Sequence, residues 1–246
     1  MCRHLAVLGP EAPLGAAVAE PPHSLVRQAW APRRQRNGTV NADGFGIGWY
    51  ADGDPRPARY RRAGPVWADP SFADLVRVVR SRALLAAVRD ATAPSGDGEA
   101  AAAPFATGPW LFSHNGALAG WPASAAPLAP LLPPAALLRL EARCDSAFVW
   151  ALVAHRLESG DPPERALTGA VTTLAEAAPR SRLNLLLTDG ASITATAWGD
   201  SLWYLTGPGD RVAVASEPYD DDPRWTEVPD RTLLAADRTR ITLSSL

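Results

Sequence analysis

The sequence contains no lysine: its 24 cationic side chains are all arginine, set against 26 acidic ones for a formal net charge of −2. Lysine chemistry is thereby excluded. The arginines are scattered, which leaves no one-sided basic footprint for nucleic acid. Cysteine is almost as scarce, with 2 in 246 residues, too few for a disulfide framework. Four histidines without Cys-x-x-Cys spacing give no strong metal signal. No apolar run approaches the roughly 18 residues of a membrane span. The stretch after MCRH is broken by Pro10, Glu11 and Pro13 with no clean cleavage site, which argues against a signal peptide. Reduced thiols in the cytoplasm are the expectation.

What is present is ordinary globular material, 47% apolar and 20% charged. One domain over residues 2–246 is expected, with no internal repeat. CRHLAVL reads as a buried strand ending at Gly9-Pro10, followed by a short helix near Ser24 to Trp30. In DGFGIGWY, Phe45, Ile47 and Trp49 alternate with glycines, the pattern of a strand that another backbone approaches closely. Phe72, Leu75, Val76 and Val79 are spaced as a helical stripe over residues 71–82, and ALLAAVR follows as a strand ending at Arg89. Residues 93–104 read as a loop, and PWLFSHNG as a strand running into a turn. A helix from Asp145, at or near its N-cap, to Gly160 precedes a second that starts after Pro162-Pro163. LNLLLTDG, ASITATAW, SLWYLTG and RVAVASE then read as successive strands, and DRTRITLSSL as the last. Strands at both ends with helices between them indicate an α+β fold of antiparallel sheets with helices outside.

Four short pieces carry candidate chemistry: Cys2, VRDAT at 88–92, HNG at 114–116 and CDS at 144–146. Each has a plain structural explanation. Cys2 and Cys144 are small hydrophobes, Arg89 a strand-end charge, Asn115-Gly116 a hairpin turn, and Asp145 a helix cap. Together their types suit one task. A thiol attacking a carbonyl needs a base, oxyanion donors and a grip on the substrate. Removal of Met1 would leave Cys2 with both thiol and α-amine. An amide side chain beside a backbone N–H supplies donors, and an arginine with an aspartate can clamp an amino acid.

In this combination and order the sequence resembles the class II glutamine amidotransferases, which are N-terminal-nucleophile hydrolases. The resemblance implies a four-layer αββα sandwich with two antiparallel sheets. It assigns the nucleophile to Cys2, the glutamyl carboxylate to Arg89 with Thr92, the oxyanion hole to Asn115 with Gly116, and the glutamyl α-amine to Asp145; His114 is counted with the substrate-binding residues. CRHLAVLG, NADGFGIGWY, WLFSHNG, RLNLLLTDG and SEPYDDDP are similar more narrowly to the γ-glutamyl hydrolases of ergothioneine biosynthesis. That family releases glutamate from γ-glutamyl-hercynylcysteine sulfoxide. Two positions depart from the broader pattern: Ala103 stands where many relatives have histidine, and Ala147 where a glutamate often follows Asp-Ser.

The implied reaction passes through a thioester with no cofactor and no metal, and its partner is a small γ-glutamyl molecule rather than nucleic acid or membrane. A homo-oligomer is compatible with the sequence, which fixes no oligomeric state. A glutaminase subunit feeding ammonia to a synthetase is the alternative enzyme. A silent relative that binds a γ-glutamyl ligand is the alternative outside catalysis. The leaving group would carry a trimethylammonium, for which Trp49, Trp30 and Tyr219 are aromatic candidates, with core packing as the competing explanation. Asp220, Asp221 and Asp222 read as a solvated turn before Pro223.

Overall fold

The computed structural model describes residues 2–91 and 98–246. The first half of the chain runs β1 (Arg3–Pro13), α1 (Gly15–Val18), α2 (Leu25–Gln28), β2 (Phe45–Trp49), β3 (Ala58–Arg62), α3 (Pro70–Val78), β4 (Arg80–Val88), β5 (Phe105–Thr107) and β6 (Trp110–Ala117). The second half runs α4 (Pro134–Leu138), α5 (Asp145–Glu158), α6 (Pro163–Ala177), β7 (Arg182–Thr188), β8 (Ser192–Ala197), β9 (Trp203–Gly207), β10 (Arg211–Ala215), β11 (Thr226–Glu227), β12 (Thr232–Asp237) and β13 (Ile241–Ser245).

The strands form two antiparallel sheets, ordered β11-β9-β10-β1-β4-β2-β3 and β13-β12-β8-β7-β6-β5. Three apolar layers follow from strand alternation, because successive side chains point to opposite faces. Ala6 and Leu8 of β1, Leu85 of β4, Leu111 of β6 and Leu186 of β7 fill the space between the sheets. Leu5 and Val7, with Phe45 and Ile47, face the short helices through Leu25, Phe72 and Val76. Phe112, Leu183, Leu185 and Leu187 pack beneath α5 and α6 against Phe148, Val153, Leu167 and Val171. The architecture is α+β with helices outside both sheets. A strand buried on both faces cannot alternate polar with apolar, which is why CRHLAVLG and LNLLL read as continuous apolar runs.

Three of the expected features differ in the structure, and the strands β3 and β12 have no counterpart among them. β1 does not stop at Gly9-Pro10 but continues to Pro13, with a register shift between Leu8 and Ala12 against β4. The helix expected over 71–82 ends at Val78, where Val79 turns extended, and Ser81 and Arg82 already belong to β4. Asp69 starts that helix by accepting from Ser71 N and Phe72 N at 3.0 and 3.3 Å. The Asn115-Gly116 pair makes no hairpin turn: both residues lie inside β6, paired with Asn184 and Leu183 of β7. Part of the expected 93–104 loop lies outside the described residues; its far end forms a short 3₁₀ turn at Gly98–Ala101 before β5.

Candidate active site

Cys2 immediately precedes β1, whose Arg3 pairs with Val88 of β4 in the middle of the seven-stranded sheet. The thiol lines a small cleft of about 20 Å³ together with Val88, Arg89, Phe105, Ser113, His114 and Ser146. Burial pushes the Cys2 thiol above its ordinary pKa. A hydrogen bond from the Asp90 backbone N–H and the nearby Arg89 cation work in the opposite direction, and Asp145 reinforces burial. A thiol so placed needs a base close by.

Alternation along β6 sorts the next residues. Ser113 and Asn115 share the inter-sheet face with Leu111, and His114 shares the helix face with Phe112. The Ser113 hydroxyl lies 3.2 Å from His4 Nδ1. Asn115 is fully buried and donates through Nδ2 to Ser216 Oγ at 3.1 Å. Ser216 in turn accepts from His4 N at 3.0 Å and returns a bond from its own N–H to the His4 carbonyl at 2.9 Å. The amide of Asn115 is therefore referenced to β1 two residues beyond Cys2. One of its two N–H donors is taken by Ser216, and its Oδ1 is buried without a partner.

The amide direction at Gly116 follows from the β5–β6 hairpin. Thr107 and Trp110 close its two-residue turn, and Phe105 pairs with Phe112. Backbone amides alternate sides along a strand, so those of His114 and Gly116 point to the β5 side, past the point where β5 begins. Leu118, next in the same phase, donates there to Asp145 Oδ2 at 2.9 Å. A Cβ at position 116 would collide with the Arg182 carbonyl oxygen, so the strand can approach β7 this closely only with glycine.

Asp145 is the first residue of α5, with Cys144 rather than Asp145 in the N-cap position. Its carboxylate is buried; Oδ1 accepts from Ser146 N at 2.8 Å, while Oδ2 holds Leu118. His114 lies 2.9 Å from the Arg182 carbonyl through Nε2 and 3.1 Å from Ser146 Oγ through Nδ1. A carbonyl only accepts, so Nε2 carries a proton, while the Ser146 hydroxyl lies between His114 Nδ1 at 3.1 Å and Asp145 Oδ1 at 3.4 Å. Both ring nitrogens of His114 are thus engaged within the protein. Arg89 donates from Nη1 to the Asp43 carbonyl at 3.2 Å, and the two backbones bond as Arg89 N to Gly44 O and Asp43 N to Arg89 O. Thr92 lies outside the described residues. Cys2, Arg89 and His114 line one cleft, with Asn115, Gly116 and Asp145 adjacent to it through β6 and α5.

The aromatic candidates separate. Tyr219 is buried edge-on against Trp225 at 5.0 Å, and Trp49 sits at the far end of β2 from the cleft, opposite Leu84. Trp30 is exposed and T-shaped against Trp67 at 5.6 Å. The acidic run is structural rather than merely solvated: Asp220 accepts from Trp225 Nε1, Asp221 from His23 and Arg33, and Asp222 pairs with Arg224. Unforeseen polar residues are His4, Ser113, Ser216, Gln35, Asn41 and Glu217. For His4, Ser113, Ser216 and Glu217 the signal is a polar side chain inside, or just beyond, an apolar strand; Gln35 and Asn41 lie between α2 and β2 and carry no such signal. Among the described residues no His/Cys/Asp/Glu group could hold a metal ion, and no helix is long and apolar enough to cross a membrane.

Two facing antiparallel sheets between helical layers, with a cysteine at the head of a central strand, define the N-terminal-nucleophile hydrolase class. A family model described as class-II glutamine amidotransferases matches residues 18–209, and the chain belongs to that family. It is 40% identical over 100% of its length, and 97% of the relative's, to a Mycobacterium tuberculosis protein named gamma-glutamyl-hercynylcysteine sulfoxide hydrolase. A Mycolicibacterium smegmatis protein of the same name is 42% identical over 95% of each chain. Among solved structures, a glutamine aminotransferase class-II domain protein from Silicibacter pomeroyi shares the fold over 99% of both chains, with a TM-score of 0.72 at 24% identity. A glutamine phosphoribosylpyrophosphate amidotransferase from B. subtilis aligns with 99% of this chain and 49% of its own, with a TM-score of 0.67 at 16% identity.

Proposed function

We propose that the chain is a γ-glutamyl amidohydrolase acting on γ-glutamyl-hercynylcysteine sulfoxide, releasing glutamate and hercynylcysteine sulfoxide for ergothioneine biosynthesis in the cytoplasm. The observation that carries this reading is the full-length similarity to relatives bearing that name; a thiol opening onto the cleft supports it. The whole of residues 2–246 acts as one catalytic domain.

Met1 is removed, and the α-amine of Cys2 becomes the base. Its ordinary pKa of roughly 8 lies close to the thiol's roughly 8.5. It therefore takes the Sγ proton at modest cost and offsets the burial that holds the thiol neutral. The thiolate attacks the γ-carbonyl, whose oxyanion accepts from the second Nδ2–H of Asn115 and the Gly116 N–H. One such donor is worth about 3 kcal/mol of barrier. The glutamyl carboxylate lies on Arg89 with Thr92, its ammonium on Asp145, and His114 completes the glutamyl pocket. The amine returns its proton to the leaving nitrogen, the C–N bond breaks, and water then hydrolyses the thioester to free glutamate. No step needs a metal or cofactor.

The test compares glutamate release from the γ-glutamyl thiohistidine conjugate with ammonia release from glutamine. The expected result is turnover of the conjugate, abolished in Cys2→Ala while substrate binding by calorimetry persists. Turnover of glutamine alone would refute the assignment, and activity surviving in Cys2→Ala would refute the mechanism.

A further inference from the structure

Behind Cys2, on the opposite face of β1, lies a charged group the reaction does not use. Arg3 is fully buried, and neither of its Nη atoms has a hydrogen-bond partner. Its Nε donates to Gln35 Oε1 at 3.3 Å, and its Nη1 stands 4.0 Å from Glu217 Oε2, on a residue that is also fully buried. A buried guanidinium left with this few bonds is costly, so its surroundings are organised around it. Glu217 accepts from the backbone N–H groups of Arg33 and Arg34 at 2.9 and 2.7 Å. Gln35 Oε1 also accepts from Asn41 Nδ2 at 3.0 Å, and Asn41 is bound by its N–H to the Ala29 carbonyl at 2.7 Å.

Apart from the Arg3–Glu217 ion pair, each of these bonds has an end on the segment of residues 31–43 that joins α2 to β2. The far end of that segment grips the cleft. The Asp43 carbonyl accepts from Arg89 Nη1, and its carboxylate accepts from Ala91 N at 2.8 Å. On the other side Glu217 adjoins Ser216, which holds Asn115. The path from Arg3 therefore reaches both the glutamyl clamp and the oxyanion donor without touching substrate.

We infer that the cluster of buried Arg3 and Glu217 with half-buried Gln35 is a positioning device, which registers the 31–43 segment, and through Asp43 the Arg89 side chain, against the strand that carries Cys2. The role of Arg89 as a substrate clamp rests on the function proposed above; the registration itself does not. Gln35 is its weakest link, since one side-chain oxygen bridges Arg3 and Asn41.

The test uses Gln35→Ala, which leaves the Arg3 and Glu217 charges together and is therefore expected to fold, with Gln35→Glu as the conservative rescue. Two readouts are taken on the full chain: amide hydrogen exchange over residues 41–44 and 89–91, and KM and kcat for the γ-glutamyl conjugate. Gln35→Ala should exchange faster over those residues and raise KM about tenfold, with alkylation of Cys2 by iodoacetamide unchanged. Gln35→Glu should restore both values. Unchanged exchange, or a loss of Cys2 alkylation in step with turnover, would overturn the inference. If the wild type turns over no γ-glutamyl substrate, the proposed reaction fails, and the exchange measurement still decides whether the cluster holds the segment.

Discussion

At the scale of single residues, the polar groups between the sheets are the least expected feature. His4 has its Nε2 unpartnered and its pKa pushed down to about 3, first by burial and then by Arg3 and His114. It is therefore neutral in the fold at any pH where the unfolded histidine, with a pKa near 6.5, takes up a proton. The unfolded state binds the extra proton, so His4 contributes stability that is complete above about pH 6.5 and is lost as pH falls toward 3, at up to about 1.4 kcal/mol per pH unit. Urea unfolding between pH 6.5 and 5 should show this slope and should flatten in His4→Asn; an identical slope in the variant would contradict a neutral His4. Cys2, Arg89 and Asp145 stand out in the sequence because their types and order match the one reaction proposed above. His4 and Ser216 do not, because what they do depends on a contact 212 residues apart in sequence.

At the scale of elements, the long helices and the apolar strands were readable, since each carries its own period or run. What failed was local punctuation overridden by partners. Gly9-Pro10 signals a stop, yet β4 pairs again with Ala12 and Pro13 through Ser81 and Arg80, and the strand bulges instead of ending. Asn115-Gly116 signals a turn, yet β7 pairs with both residues, and glycine is required there for close approach rather than for a bend. Gly116→Ala should force the strand off the Arg182 carbonyl and cost about 1–3 kcal/mol. Urea denaturation would register this as a lower midpoint, and an unaltered midpoint would mean that β6 can shift without loss. β3 and β12 escaped notice for a different reason. β3 is an edge strand whose ARYRR carries three arginines, and β12 lies in a stretch with no turn pair to mark it off.

At the scale of the whole molecule, two-sided burial decides how the site can be lost. From Leu5 to Leu8 β1 is hydrogen-bonded along both edges and buried on both faces, so opening the strand behind Cys2 dismantles the centre of the seven-stranded sheet. The 31–43 segment has no such protection, being mostly exposed and held by a few side-chain bonds. Heating should therefore weaken substrate affinity before it harms the thiol. The rate of Cys2 alkylation should follow one smooth Arrhenius dependence until the cooperative melt seen by calorimetry, and an earlier break would place a weak point in β1 itself. A thiol seated this way is lost all at once: its lifetime is set by the slowest unfolding event of the molecule, and cooling after any milder excursion returns it intact.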